Sequence, residues 1–117
     1  MIKQIFENSI SRIIFVTALL LILTLIYSFP LITNFFTHIP GYGNDINQYF
    51  WCHWWFAEAM ESGQQPWYTD HQWYPNGTSL VFSTNRFLSA GIGWLVSPLF
   101  GLIGSYNFVN ILTFIIS

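Results

Sequence analysis

Charge is the first thing this sequence lacks. Eight of its 117 residues are charged, 7% of the chain, where an ordinary soluble domain carries about a quarter. Eight charged side chains cannot cover a soluble surface of this size, so composition points to the membrane. Basic residues number three, Lys3, Arg12 and Arg86. They are scattered, and nucleic-acid binding needs several phosphates neutralised together, so no nucleic-acid partner is expected. Cysteine occurs once, at Cys52. One cysteine excludes an intrachain disulfide and a cysteine-based metal site. His38, His53 and His71 form no H-x-x-x-H pair, so no metal site and no cofactor are expected. Oxygen ligation of a divalent metal by Asp45 or Asp70 has no support from spacing. There is no P-loop, no G-x-G-x-x-G and no G-x-S-x-G, and no period of 20–50 residues recurs.

Hydrophobic residues fill the space left by charge: 53% of the chain is hydrophobic and 21% aromatic. Residues 13–33 read IIFVTALLLILTLIYSFPLIT without a charge. About 20 such residues cross a hydrocarbon core of about 30 Å as a helix. A cleaved signal peptide is the competing reading, but no small-x-small site follows the run, and apolar residues continue through Leu31 and Ile32. Lys3 and Arg12 precede this span and no basic residue follows before Arg86. The positive-inside rule therefore keeps residues 1–12 cytoplasmic and puts 34–86 on the opposite side. Residues 87–103 read as a second span, with Gly91, Gly93 and Gly101 allowing close helix approach and Pro98 tolerated among neighbours. Gly104-Ser105 is expected to be the turn into a third apolar run, 106–117. That run is too short to cross unaided, so the chain is expected to be the N-terminal piece of a longer parent with further spans. The expected fold is an all-α membrane protein: transmembrane helices joined by an extracytoplasmic loop that carries an interfacial aromatic helix. The expected location is the plasma membrane of a prokaryote, with the lipid bilayer as the first partner.

That helix is expected over 44–62. It has no internal Gly or Pro, and Gly63 stands where a left-handed C-terminal residue belongs. Tyr49, Phe50, Trp51, Trp54, Trp55 and Phe56 are too many for one stripe. Trp and Tyr favour the headgroup level, so the helix is read as lying along the outer surface. Gln64-Gln65-Pro66 leaves it, and Pro75-Asn76-Gly77 marks a turn. Asn76-Gly77-Thr78 also matches a glycosylation sequon, but the turn explains those residues fully. Residues 79–83 read as a short extended piece.

Asp45 is the first candidate for chemistry. It stands at the start of the aromatic helix, near water and backed by aromatic surface, where a carboxylate can serve as a general base. The structural alternative is a capping box of Asp45 with Gln48, or Asn44 as the cap, with an acid there favoured also by the helix dipole. Asp70-His71 pairs an acid with an imidazole in an aromatic loop, suited to a sugar or a phosphate, or simply a turn. Arg86 can clamp a phosphate with its fork of donors or anchor the chain at the headgroups.

The order of features resembles a known family. One span is followed by Gly43-Asn44-Asp45 and a helix containing Trp51. Then come Gly63, Pro66, Tyr74-Pro75-Asn76-Gly77, a Gly-rich span and Gly104-x-Tyr106-Asn107. This resembles the N-terminal end of multi-span GT-C glycosyltransferases, over nearly the whole chain. The resemblance implies transfer of a sugar from a polyprenyl-phosphate donor to an acceptor outside the cytoplasm. It implies Asp45 as catalytic base, with inversion at the anomeric carbon; Asp70, His71 and Arg86 are expected, from their own chemistry, as substrate contacts. Many members carry a paired acidic motif, whereas Asp45 here lies between Asn44 and Ile46, and the family's later spans and C-terminal outer domain are not in this sequence. The fragment alone is therefore expected to be inactive. The alternative class is a non-catalytic polytopic membrane protein, a transporter or assembly subunit.

Overall fold

A computed structural model describes residues 9–83 and 86–116. Lys3 and most of the expected cytoplasmic segment, residues 84–85 of the loop, and Ser117 lie outside the described residues. The chain is mostly helical, and two of its helices are long and apolar enough to cross a membrane by length and composition.

Helix α1 spans Ser9–Tyr27, about 28 Å at 1.5 Å per residue. Ile13, Ile14, Leu19, Leu21, Ile22 and Leu23 are all exposed. At 100° per residue they point to every side of the helix, so no single face is covered by the rest of the chain. Its one buried residue, Thr24, donates its hydroxyl to the carbonyl of Leu20 at 2.7 Å, which satisfies the group locally. The helix stops earlier than the apolar run. Pro30 has no N–H to offer the ladder, and the chain passes into a 3₁₀ turn at Leu31–Asn34. The expected helical end at residue 33 is thus moved back to Tyr27.

Helix α2 spans Asn44–Ser62 between two glycines. Gly63 sits at φ 71° and donates its N–H to the carbonyl of Ala59, closing the helix. The other end departs from the capping-box reading. Gly43 is the cap residue, at φ 111°, and no side chain caps the helix.

A small antiparallel hairpin follows, β1 (Tyr68–Thr69) with β2 (Thr78–Ser79), Tyr68 opposite Ser79 and Thr69 opposite Thr78. Gly77 turns the chain at φ 70° and donates to the carbonyl of Trp73. A side chain at Gly77 would collide with the Tyr68 ring, whose hydroxyl donates to the carbonyl of Asn76. Leu80 continues from β2 onto α2 and forms a core with Trp55 and Ala59, flanked by Trp51, Trp54 and Phe87. Trp55 is 1% exposed and donates its indole N–H to the carbonyl of Pro66 at 3.2 Å.

Helix α3 spans Phe87–Ile116 and is broken at Gly101, which adopts φ 69° and ψ 178°. Only glycine adopts that backbone readily. A straight helix would place Gly93 and Ser105 about 18 Å apart. Instead one imidazole, His53 of α2, lies against both, so the halves 87–100 and 102–116 fold toward each other. The turn expected at Gly104-Ser105 therefore lies three residues earlier. Gly104 and Ser105 are buried inside the second half. A side chain at Gly104 would meet the ring of Phe36 and the Cβ of Phe100, so this glycine serves packing and not reversal.

These contacts explain the aromatic crowding of α2. His53 faces α3, while Trp55 and Ala59, about 200–240° round the helix axis by the 100° step, face Leu80 and the hairpin. The helix is covered on two sides, so aromatic residues are needed on both.

Candidate functional site

Asp45 occupies the first turn of α2 and is exposed. Among the described residues its carboxylate takes part in no hydrogen bond and no ion pair. An acid retained as a cap would bond the N–H groups of the first turn, and this one does not.

One helical turn on, Tyr49 shares the face of Asp45. The Arg86 guanidinium lies over the Tyr49 ring, 4.7 Å from its centroid. That is cation–π distance, and it holds the charge beside α2 without neutralising it. Arg86 caps the start of α3, where its carbonyl accepts from Ala90 at 2.8 Å. Arg86 is thus the residue at the positive end of α3, where the free backbone N–H groups favour an anion. Tyr49 and Arg86 line a cleft of about 310 Å³ with Pro40, Ile46, Tyr106, Asn110, Thr113 and Phe114. A much smaller cavity of about 20 Å³ adjoins it, shared by Tyr49, Arg86, Tyr106 and Asn110 and floored by Cys52 and His53.

The floor of that cavity is tightly built. The His53 ring sits in the notch left by Gly93, where an added Cβ would lie 2.0 Å from its Cε1. The ring meets Tyr106 edge-on, centroids 5.4 Å apart. Its Nε2 is 3.0 Å from the Ser105 hydroxyl. That hydroxyl gives its proton to the carbonyl of Leu102 at 2.9 Å, so Nε2 must donate to it and Nδ1 is the bare nitrogen. Burial lowers the His53 pKa to about 4 and raises that of the Cys52 thiol.

Asp70 and His71 do come together, Nδ1 to Oδ1 at 3.3 Å, both half-exposed. The His71 ring packs on Trp54 and Trp55, at centroid distances of 5.9 and 5.0 Å. Trp54 is nine residues beyond Asp45, about 13 Å along the axis and on the opposite side of the helix. The structure thus puts Asp45 one helical turn from Tyr49, on whose ring Arg86 packs, and sets Asp70-His71 on the far side of α2. Tyr49, Tyr106, Asn110 and His53 join the site without having been singled out as site residues. Tyr106 alone carried a signal, through Gly104-x-Tyr106-Asn107.

Asn107 fixes the loop that delivers Asp45. It is fully buried, and its amide donates to the carbonyls of Phe35 and His38, both at 2.7 Å. A larger cavity, about 480 Å³, opens beside that loop between the end of α1 and the second half of α3. Among the described residues, no three of His, Cys, Asp and Glu gather as a metal centre would require. Comparisons with protein-family models, with curated proteins and with solved structures return no match for this chain.

Proposed function

We propose that this chain forms the first spans and outer loop of a membrane glycosyltransferase of GT-C type, embedded in the plasma membrane of a prokaryote with its N-terminus cytoplasmic. The observation that carries the reading is the uncommitted carboxylate of Asp45, one helical turn from Tyr49, the ring that holds Arg86 at a cleft. The resemblance in residue order, from Gly43-Asn44-Asp45 to Tyr106-Asn107, supports it independently.

In this reading Asp45 accepts the proton of an acceptor hydroxyl as its oxygen bonds to the anomeric carbon of the donor. The bond from that carbon to the phosphate oxygen breaks, and the polyprenyl phosphate leaves with the electron pair. Attack from the face opposite the phosphate inverts the anomeric carbon. Arg86 meets the phosphate and the charge it gains, where a fork of donors is best matched. The phosphate is already a good leaving group, so one base and good positioning suffice. Asp70 and His71, on the far side of α2, would touch only an acceptor long enough to reach round the helix.

The test is sugar transfer by membranes containing the full-length protein. Asp45→Asn is expected to lower transfer at least about 100-fold, the usual contribution of a general base, with unchanged expression. Unchanged transfer, or loss of the folded protein alone, would favour the non-catalytic transporter or assembly subunit.

A further inference from the structure

Among the described residues, the His53 imidazole is the one buried titratable side chain that touches both halves of α3. It fills the Gly93 notch in the first half and bonds Ser105 in the second. Across the bend at Gly101 the Phe100 and Phe108 rings also stack, centroids 5.2 Å apart, and His53 supplies a polar tie from α2. We propose that His53 is a proton-sensitive clasp that, while neutral, holds α2 across the two halves of α3 and keeps the cleft at Tyr49 and Arg86 in shape.

The hydrogen bonding sets the direction. Ser105 spends its proton on Leu102, so neutral His53 donates from Nε2 and would take a second proton at Nδ1. The titratable groups facing it in its cavity are Tyr49 and Cys52 from α2, and Arg86 and Tyr106 from α3. None is a carboxylate. Asp45 and Glu58, the nearest acids on α2, lie more than a helical turn away along the axis. A proton on His53 would therefore place a second cation near Arg86, in a site with no anion to receive it. Such a charge is relieved by moving the ring toward water. Moving the ring vacates the Gly93 notch and releases Ser105 together, so both halves lose their contact with the imidazole in one step and only the ring packing is left to hold them. The low pKa imposed by burial agrees with this geometry. The clasp operates whether or not the chain transfers sugar.

Cys52, beside His53 in the sequence and half-buried, reports opening. The chain in lipid nanodiscs would be treated with a dithiodipyridine, which reacts with thiols in acid. In the wild type the labelling rate is expected to rise as pH falls from 6.5 toward 4, by up to about tenfold per unit, because the open form takes up a proton that the closed form refuses. His53→Gln keeps a donor for Ser105 and cannot titrate in this range, so its rate should lack this rise. Ser105→Ala removes the partner of the neutral ring and should move the rise to higher pH. That variant tests the clasp even if His53→Gln fails to fold. Identical profiles for wild type and His53→Gln, or a Ser105→Ala profile that coincides with the wild type, would overturn the proposal.

Discussion

The side-chain amide of Asn107 donates to the carbonyl of Phe35 at 2.7 Å, and to that of His38 at the same distance, joining residues some 70 positions apart. Asn107 is fully buried. It pins the loop between α1 and α2 to the second half of α3, and that loop carries the chain to Asp45. Asn107→Ala strands two carbonyls and opens a small void. The expected loss is about 2 kcal/mol or more, since each stranded buried acceptor costs about 1–3 kcal/mol. Thermal unfolding followed by circular dichroism measures it, and an unchanged midpoint would contradict the role.

Gly93 and Gly101 should respond differently to alanine. At Gly93 the new methyl would lie 2.0 Å from the His53 ring, so α2 must shift or the ring must leave. Overpacking of this kind costs about 1–3 kcal/mol, and here the cost falls on the contact between α2 and α3. Gly101→Ala meets no neighbour but forces an L-residue into a glycine-only backbone, a strain of about 1–3 kcal/mol. Cys52 labelling separates the two, with Gly93→Ala raising it at neutral pH and Gly101→Ala raising it less.

Stability should depend on pH through His53. In the unfolded chain this histidine ionises near 6.5, and in the folded chain near 4. Above pH 6.5 neither state carries the charge and the contribution is constant. Between 6.5 and 4 the unfolded chain binds a proton that the folded chain does not, so stability falls as pH falls, by roughly 3 kcal/mol across the window. His53→Gln should flatten that part of the profile. A fall of equal size in the variant would assign the effect elsewhere.

Trp55 ties α2 to the hairpin. Trp55→Ala removes a ring that is 1% exposed and leaves the carbonyl of Pro66 without its donor. A loss of about 3–5 kcal/mol is expected, the usual range for a buried aromatic cut to alanine. The midpoint of chemical unfolding reads it.

How much of this was legible in the sequence depended on the range of the interaction. The C-terminal end of α2 was legible because Gly63 is a local backbone requirement. The outer end of α1 was not, because the apolar run continues past Pro30 while the helical hydrogen bonds do not. Sequence pattern assigned Gly101 the packing role and Gly104 the turn, and the structure exchanges them. Only packing against Phe36 and Phe100 separates the glycine that turns from the glycine that lets a ring approach. Strands of two residues carry no alternation, so the hairpin had no signature beyond Pro75-Asn76-Gly77. The partnership of His53 with Gly93 and Ser105 spans forty to fifty residues and leaves no local trace. Asp45 was singled out from its place in the chain. The packing of Arg86 on Tyr49, one turn beyond Asp45, and the place of Asp70-His71 on the other side of α2 required the fold.

The account rests on residues 34–86 lying outside the cytoplasm, so that Asp45 meets its substrate there. In a Cys52→Ser background, single cysteines at Asp70→Cys and Ser9→Cys would be exposed in intact cells to a membrane-impermeant maleimide. The account predicts labelling of Asp70→Cys in intact cells and of Ser9→Cys only after lysis. The reverse pattern would contradict it, for Asp45 would then face the cytoplasm.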